Sequence, residues 1–490
     1  MATLVPPPTK RQKREAQNPT IDVLPTDFPS VQVQFRSTDG ETTDTILLPG
    51  TSSITDLELL LNGHVLKNDE PRPYTFALAD DSAADITSNL YTDIYNRGLR
   101  STEDILTVLY TPQSIFRVKA VTRCTSTLPG HGGSILTAQF APHTSSRCAT
   151  GAGDNHARIW DCDTETPMYT LKGHSGWVLC LAWAPAGDVL ATGSMDSTVR
   201  LWNARTGAEL GTLQRHTKPI MSMAWEPLVD TPRLATASKD STIKVWNTTL
   251  RTVEYSLSGH TGAVTSVKWA GNGWIYSASY DQTIKVWNGR TGLLLHTLKG
   301  HAARINHLAL STDHILRTSF DPNTNQVLSL PDLRARWEQV VKDSGGSEKL
   351  VSSSDDLQVF LWTPQKSTKP TKLNGHQKVV NHASFAPNGQ TIATASFDSS
   401  LRLWSATTGA FIATLRGHVS SVYMCVWSAD SRLLASASQD TTVKVWDVRS
   451  RKLVSDLATS EAEVFSLDWS CDGRKVVSGG ADKKVRLFSH

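Results

Sequence analysis

The sequence lacks long apolar segments, paired cysteines and a strong excess of either charge. No apolar run reaches the roughly 18 residues that a membrane-spanning helix needs, and the N-terminus shows no apolar core of a secretory signal. The six cysteines form no Cys-x-x-Cys pair and no zinc-binding spacing. We therefore expect a reduced cytosolic or nuclear protein with no membrane partner and no metal site of its own.

Recognisable catalytic motifs are absent as well. The sequence has no Gly-x-Ser-x-Gly elbow, no phosphate-binding loop that ends in Lys-Ser/Thr and no His-Glu-x-x-His zinc helix. We therefore predict a protein that is not an enzyme, with no catalytic residue and no cofactor. The 49 Lys and Arg against 46 Asp and Glu, a net charge of +3, also argue against a surface built wholly for nucleic acid.

Tryptophan, by contrast, is unusually frequent, with 15 Trp against 12 Phe and 9 Tyr. Most of these residues belong to an internal repeat. Each unit begins with Gly-His or a close variant and ends with Trp-Asp or a relaxed form of it. The terminal aromatics follow one another at steps of 41 to 44 residues, with one step of 75. The repeat-opening histidines are His131, His174, His216, His260, His301, His376 and His418.

An aspartate lies six residues before every terminal aromatic, and a strand-like alternation runs between the two. These eight residues are Asp154, Asp196, Asp240, Asp281, Asp356, Asp398, Asp440 and Asp482. A serine precedes most of them by two residues. The eighth unit is the most degenerate, since Glu461 stands at the expected histidine position and Phe488-Ser489 replaces the terminal dipeptide.

The region from His131 to Phe488 resembles WD repeats, whose period is about 40–45 residues. The resemblance implies a mainly β fold, an eight-bladed β-propeller; seven blades and a stray unit is the alternative. In that family the His, the Asp, a Ser or Thr and the Trp form a hydrogen-bonded tetrad, which makes burial of the polar groups tolerable. Because an active site needs one copy, eightfold recurrence favours a structural role for these residues over catalytic triads.

Two further features concern the predicted ring, which we assign to residues 113–490. The eighth repeat has no outer strand after it, so we expect residues 115–128 to pair with that blade and close the propeller. The fifth repeat carries an insertion at about 312–350. Within it, Pro331 and Asp332 are typical of a helix start, with Leu333 and Trp337 on one face. Such an insertion is either a binding loop or a tolerated excursion.

Residues 29–112 have a different texture. Strand patterns at 31–35, 45–48, 74–78 and 104–110 accompany a helix that Ser53 or Thr55 can cap and Gly63 can end. This order is that of a small α+β ubiquitin-like (β-grasp) domain. Residues 1–28 form a flexible tail in which a basic cluster is a possible nuclear localisation signal. Its basic residues are Lys10, Arg11, Lys13 and Arg14.

The combination of ubiquitin-like domain, connector 110–131 and eight WD repeats closely resembles Notchless-type ribosome-assembly factors. This resemblance implies a nuclear and nucleolar protein of large-subunit biogenesis and ribosomal RNA processing. Its implied partners are the pre-ribosomal large-subunit particle, with ribosomal RNA, the 5S ribonucleoprotein region and neighbouring assembly factors. It also implies that the ubiquitin-like domain offers a carboxylate to the metal-ion-dependent adhesion site of midasin, an AAA ATPase whose ATP-driven pulling remodels the particle. We expect a monomer.

The acid for such a site is expected in the loop 98–104. Adhesion sites hold Mg²⁺ through oxygen ligands and leave one position for a partner's carboxylate. Glu103 matches the family's functional glutamate in its Ser-Thr-Glu-Asp setting, with Asp104 as the second choice. A solvated turn acid is the alternative interpretation of both residues.

Two other functions remain open at this stage. A propeller can be a scaffold in signalling or the substrate receptor of a ubiquitin ligase, although no adaptor-binding box is evident. Direct contact with RNA is also possible, because Lys or Arg lies two residues before the terminal aromatic in seven repeats. Their regular placement is more typical of solvated strand faces.

Overall fold

The computed structural model describes residues 29–37, 42–66, 73–79, 85–86, 89–95, 104–112, 116–321, 326–457 and 460–490. The chain divides into two compact units, Met1–Ile115 and Phe116–His490. No helix in these ranges has the length and apolar character to cross a membrane.

The first unit is a five-stranded mixed sheet with a helix between its second and third strands. Its strands are β1 (Ser30–Ser37), β2 (Ile46–Pro49), β3 (Tyr74–Leu78), β4 (Asp85–Ile86) and β5 (Leu106–Pro112). The order is β2-β1-β5-β3-β4, with β1 parallel to β5 and every other pair antiparallel. A central parallel pair flanked by hairpins is the β-grasp arrangement that the sequence pattern predicts.

Helix α1 (Ile54–Leu60) begins with a capping box, in which the Ser53 hydroxyl and the Asp56 carboxylate bond to each other's backbone N–H. The expectation that Gly63 ends this helix is wrong. The chain continues as a π-helical turn, Leu61–Val65, closed by a 2.8 Å bond from Leu66 N to Leu61 O. The extension has a physical reason, because it keeps Leu61 buried against the sheet beside Leu57. A second π-helical turn covers Tyr91–Tyr95.

The second unit is a closed ring of eight four-stranded antiparallel sheets. The eighth sheet is complete, so the eight-bladed interpretation is confirmed over the one with seven. Blades one to four contain β7 (Ile135–Phe140), β8 (Arg147–Ala152), β9 (Ala157–Asp161), β10 (Thr166–Leu171); β11 (Val178–Trp183), β12 (Val189–Ser194), β13 (Thr198–Asn203), β14 (Glu209–Gln214); β15 (Ile220–Trp225), β16 (Leu234–Ser238), β17 (Thr242–Asn247), β18 (Thr252–Ser258); and β19 (Val264–Trp269), β20 (Trp274–Ser279), β21 (Thr283–Asn288), β22 (Leu294–Lys299).

Blades five to eight follow the same order, with the insertion after the first strand of blade five. They contain β23 (Ile305–Leu310), β26 (Leu350–Ser354), β27 (Val359–Thr363), β28 (Ser367–Leu373); β29 (Val380–Phe385), β30 (Thr391–Ser396), β31 (Ser400–Ser405), β32 (Phe411–Arg416); β33 (Val422–Trp427), β34 (Leu433–Ser438), β35 (Val443–Asp447), β36 (Lys452–Leu457); and β37 (Val464–Trp469), β38 (Val476–Gly480), β39 (Val485–Ser489), β6 (Arg123–Leu128). The insertion contains α2 (Asp313–Arg317), β24 (Phe320–Asp321), β25 (Gln326–Val327) and α3 (Leu330–Asp343).

The outer strand of blade eight comes from the beginning of the ring. Strand β6 pairs antiparallel with β39, with Leu128 opposite Val485. The prediction of pairing over residues 115–128 holds only from Arg123, because the described residues 116–122 are not a strand. Instead, Val118 and Val121 pack into the apolar core shared by blades seven and eight. A 2.8 Å bond from Val118 N to the Asp430 carboxylate holds them there. The ring therefore leaves no open edge between its first and last blades.

Apolar side chains fill the spaces between neighbouring blades. The terminal Trp residues of five blades have almost no exposed surface. Each packs in a core that its own blade shares with the preceding blade, as Trp246 does with blade two and Trp446 with blade six. Antiparallel order places the loops that precede the first strand, and those between the second and third strands, on one face. We call this face the staple face. The insertion of blade five leaves the ring on the opposite face, which we call the insert face.

Candidate functional site

The recurrent His and Asp residues meet on the staple face. In blade one, His131 Nδ1 lies 2.9 Å from Asp154 Oδ2, and His131 Nε2 lies 2.8 Å from the hydroxyl of Thr150. Trp160 Nε1 donates to the same hydroxyl at 2.7 Å. The same contacts join His174–Asp196, His216–Asp240, His260–Asp281, His301–Asp356, His376–Asp398 and His418–Asp440 at 2.7–2.8 Å.

The hydroxyl of each tetrad lies four residues before the aspartate, two residues before the serine that the sequence pattern emphasises. That serine has a different role. Ser194 accepts a bond from Asp196 N at 3.2 Å and donates to Gly176 O at 2.9 Å. It therefore joins the two loops of its blade, while Thr192 connects His174 to Trp202.

The carboxylates of the tetrads are ionised and fully bonded. Burial alone would raise the pKa of Asp240, but hydrogen bonds from His216 and Thr242 outweigh it and lower the pKa well below its usual range. Burial lowers the pKa of His174. Seven similar copies with satisfied polar groups stabilise blades, and they leave no donor or acceptor to act on a substrate.

Blade eight uses an ion pair in place of the histidine. The assignment of Glu461 to the histidine position is wrong by one residue, because Ser460 lies four residues before the first strand, as the histidines do in the other blades. Ser460 Oγ donates to Asp482 Oδ2 at 3.0 Å. The Arg486 guanidinium, whose side chain is 4% exposed, also bonds to Asp482. Glu461 instead pairs with Lys484 at 2.7 Å.

The insertion of blade five crosses the insert face. Its Arg317 donates two bonds, of 2.8 and 2.7 Å, to the buried carboxylate of Asp468 in blade eight. Asp313 pairs with Lys268 of blade four at 3.0 Å. Beyond α2, the Ser319 hydroxyl lies 2.8 Å from His143 Nδ1 of blade one. The insertion thus bonds to several blades besides its own, and it is more than a tolerated excursion.

These cross-ring contacts were not predicted, although the sequence carries a signal for them. The residue before the last position of the first strand is uncharged in six blades; only Lys268 and Asp468 are charged there. Both are the residues that bind the insertion. A charged residue at a repeat position that is uncharged in the other blades indicates a contact that the repeat itself does not make.

Helix α3 is anchored by a buried carboxyl group. Trp337 Nε1 and the Thr312 hydroxyl each donate to Glu348 Oε1 at 2.8 Å, and Gly271 N donates at 3.2 Å. Burial raises the pKa of Glu348. The helix begins at Leu330, next to the predicted start at Pro331, and of the two residues predicted to share a face Leu333 is buried and Trp337 is half-buried.

A cavity of about 340 Å³ occupies the centre of the ring, and residues of α2 contribute to its wall on the insert face. The rings of His307 and His382 stack in it with centroids 4.2 Å apart. Burial lowers the pKa of His382 to about 3. In the described ranges, no group of three or more His, Cys, Asp or Glu residues could hold a metal ion.

Of the two candidate acids in the first unit, only Asp104, two residues before β5, lies within the described residues. Glu103 is outside the described residues, as are the basic residues Lys10, Arg11, Lys13 and Arg14. Asp104 is exposed. Burial and the nearby charge of Asp104 raise the pKa of Tyr95. Ile105 is 55% exposed, whereas Leu106, the first residue of β5, is buried.

These features define a class, the WD-repeat propeller proteins. The family described as "WD domain, G-beta repeat" matches residues 122–161, 165–203, 207–247, 251–288, 367–405, 409–447 and 451–489. The unmatched repeat is the one with the insertion. The crystal structure of the computationally designed Ika8 protein is similar with a TM-score of 0.60 and 25% identity, covering 74% of this chain and 98% of that chain.

Similarity over most of the chain assigns the protein to one family within this class. The chain is 50% identical over 420 residues to Ribosome assembly protein 4 of Saccharomyces cerevisiae, covering 81% of this chain and 82% of that protein. It is 40% identical over 433 residues to Protein Notchless of Drosophila melanogaster, covering 77% and 78%. The Notchless protein homolog of Arabidopsis thaliana is 43% identical over 372 residues, covering 71% and 74%. The chain belongs to the Ribosome assembly protein 4 and Notchless family, and it is a non-catalytic repeat protein.

Proposed function

We propose that the protein is an assembly factor of the large ribosomal subunit that acts in the nucleus and nucleolus. The propeller docks on the pre-ribosomal particle, near its 5S ribonucleoprotein region and neighbouring assembly factors. The ubiquitin-like unit presents a carboxylate to the Mg²⁺ site of midasin. The observation that carries the proposal is the 50% identity to Ribosome assembly protein 4 over 81% of this chain.

The surroundings of the candidate acid support the second part of the proposal. Position 103 lies three residues before β5, a central strand bonded to β1 on one side and β3 on the other. A ligand for a partner's metal must project from a rigid element, and a loop that leads into a central strand satisfies this requirement. The exposed Ile105 side chain adds apolar surface beside the acid, which a protein partner can cover.

The chemistry of the metal explains why a glutamate is required. A hard divalent cation takes oxygen ligands, and an ionised carboxylate from the partner completes its coordination. An amide at position 103 keeps the size of the side chain but removes the charge. Glu103→Gln therefore tests the carboxylate, whereas Glu103→Ala tests the side chain as a whole.

The experiment measures binding of full-length protein to midasin in Mg²⁺ and in excess chelator. We expect Glu103→Gln and Glu103→Ala to abolish Mg²⁺-dependent binding, and Asp104→Ala, the matched control one residue away, to retain it. Loss of binding with Asp104→Ala alone would transfer the role to that residue. Unchanged binding with both Glu103 variants would contradict the midasin part of the proposal.

Docking of the propeller needs a separate test. Sucrose-gradient sedimentation of nuclear extract should place the wild-type protein with large-subunit precursors. The Glu103→Ala variant should remain there, because its propeller is intact, and particles should accumulate that have not released the factor. Absence of the wild-type protein from precursor fractions would contradict the assembly function itself.

A further inference from the structure

Two loop positions in each blade form a ring around the mouth of the central channel on the staple face. The residue before each tetrad aspartate donates its backbone N–H to the residue that precedes the first strand of the same blade. In blade two, Met195 N donates to Trp177 O at 2.8 Å, and in blade three, Lys239 N donates to Pro219 O at 2.9 Å. We call this set of loop residues the mouth ring.

Adjacent blades meet through the same two positions. Tyr280 of blade four lies under the Arg304 guanidinium of blade five, 5.3 Å from ring centroid to Cζ. Gln439 of blade seven donates to Glu463 of blade eight at 3.1 Å. Neighbouring positions of the mouth ring therefore form one continuous surface from blade to blade.

Trp177 is the residue of this ring that the repeat does not explain. Its side chain is 52% exposed, unlike the terminal Trp residues that are buried between blades. One face of its ring lies across Gly153 of blade one, where an added Cβ would be 3.7 Å from the indole carbons. The neighbouring Met195 is also 52% exposed. Blade two thus presents a flat aromatic ring with its back supported by glycine.

The loops beside Trp177 carry cations that are free of acidic partners. Lys218 and Lys239 belong to adjacent loops of blade three, joined by a 2.8 Å bond from Ser238 Oγ to Lys218 O. Lys172 and Arg215 follow the outer strands of blades one and two, and so begin the staple-face loops that lead into blades two and three. All four side chains are exposed, and none forms an ion pair within the described part of the chain.

The carboxylates close to these cations are already occupied. Asp196 and Asp240 bond to the histidines and loop amides of their own tetrads. The acidic residues of the mouth ring itself lie in the other half. There Asp355 pairs with Arg304, and Glu463 bonds to Tyr423 and Gln439. The staple-face loops of blades two and three therefore have a local excess of positive charge, although the whole protein is nearly neutral.

We propose that this surface binds single-stranded RNA. A base stacks on the open face of Trp177, and phosphates are neutralised by the cations around it, the combination that single-strand-binding proteins use. Single-stranded RNA explains both the exposed indole of Trp177, which a base can stack on, and the surrounding cations, which phosphates can contact. Binding of an acidic peptide would explain only the cations. The inference rests on the proposed function, which supplies the RNA. The surface consists of Lys172, Trp177, Met195, Arg215, Lys218 and Lys239.

The test uses the full-length protein and a fluorescein-labelled 20-nucleotide oligouridylate, with anisotropy measured across a series of salt concentrations. Trp177→Ala should weaken binding about tenfold, in the range for loss of one stacked base. The double variant Lys218→Glu and Lys239→Glu should weaken binding at least tenfold. It should also reduce the slope of log affinity against log salt by about 1.4, since each phosphate contact of a single strand contributes about 0.7.

Matched controls lie in other blades of the same face. Lys378 occupies in blade six the loop position that Lys218 occupies in blade three, and it is exposed. Val419 is 88% exposed in blade seven. Lys378→Glu and Val419→Ala should leave the affinity within twofold of wild type. Because all substituted side chains are exposed, equal thermal unfolding of the variants will show that the fold is retained.

Three results would overturn the inference. The first is wild-type affinity in Trp177→Ala and in the double variant. The second is an equal loss with Lys378→Glu, which would indicate diffuse attraction. The third is displacement of the RNA by polyglutamate at lower concentration than by unlabelled RNA, which would assign the surface to acidic peptides. Sedimentation separates the two proposals, because wild-type protein that sediments with large-subunit precursors but does not bind the RNA contradicts only this one.

Discussion

The ion pair that replaces histidine in blade eight provides the sharpest test of how the ring is held closed. The perturbation is Arg486→Leu, which removes the guanidinium and keeps an apolar side chain of moderate size. The side chains of Arg486 and Asp482 are 4% and 2% exposed, so the carboxylate cannot regain full hydration. It would retain only the Ser460 hydroxyl at 3.0 Å and the Lys484 N–H at 3.2 Å.

The expected cost follows from that burial. Removing one partner of a buried ion pair destabilises a protein by about 3–5 kcal/mol, whereas replacing both partners is often nearly neutral. Burial alone would raise the pKa of Asp482, but Arg486 and its other hydrogen bonds lower it. Without Arg486 the pKa should rise. The variant should therefore lose less stability at pH 4 than at pH 7, because a protonated carboxyl is cheaper to bury.

The assay is urea unfolding followed by tryptophan fluorescence. All 15 Trp residues lie between Trp160 and Trp469, so the signal reports the propeller alone. The matched control is Arg474→Leu in the same blade, where the arginine side chain is 71% exposed and its ion pair spans 3.7 Å. That control should change the free energy of unfolding by about 0.5 kcal/mol or less.

A rescue variant separates the charge from the general effect of a core substitution. Asp482→Asn together with Arg486→Leu removes both charges, and most of the stability should return. A loss of less than about 1 kcal/mol in Arg486→Leu, or an equal loss in the single and double variants, would refute the argument that this ion pair replaces the histidine tetrad.

Three further predictions concern the rest of the propeller. Arg317→Met removes two charged hydrogen bonds from Asp468, so it should cost about 2 kcal/mol and increase trypsin cleavage within the insertion; an unchanged digestion pattern would contradict the cross-ring anchor. Tetrad carboxyls such as Asp240 have pKa values below the ordinary value of about 3.9. The stability that they provide is therefore present above about pH 4 and is lost as the pH falls further. Equal free energies of unfolding at pH 7 and pH 3 would contradict this prediction. Burial raises the pKa of Cys425 to about 12, so this thiol should react with a disulfide reagent only in urea, as mass spectrometry of labelled peptides can show.

The sequence was sufficient for the parts of the fold that repeat. Histidine and aspartate at constant offsets predicted the number of blades, because each unit has to satisfy the same buried polar groups. Single departures were harder to interpret. Glu461 was placed one residue out of register because the eighth unit has no Gly-His, and only the pairing of β37 and β38 fixes Ser460 as the equivalent residue.

Long-range contacts of the insertion could not be derived from local pattern. Helical periodicity in 330–342 predicted α3 and its inward face, but it gave no information about which blades the segment reaches. The bond from Trp337 to Glu348 and that from Arg317 to Asp468 join residues 11 and 151 positions apart. Such contacts depend on the closed ring, which places blade eight opposite the insertion although the two are distant in sequence.

Repetition makes each exception informative. In a ring of equivalent blades, a side chain that serves the fold should recur at the same position, as the tetrad residues do in seven blades. Lys268 and Asp468 break the pattern, and each has a partner that explains it. Trp177 also breaks the pattern but remains half exposed, with no hydrogen bond from its indole nitrogen among the described residues. An aromatic side chain that the fold does not need, left in water beside unpaired cations, is most simply explained by a partner, which is why RNA binding should be tested at this residue first.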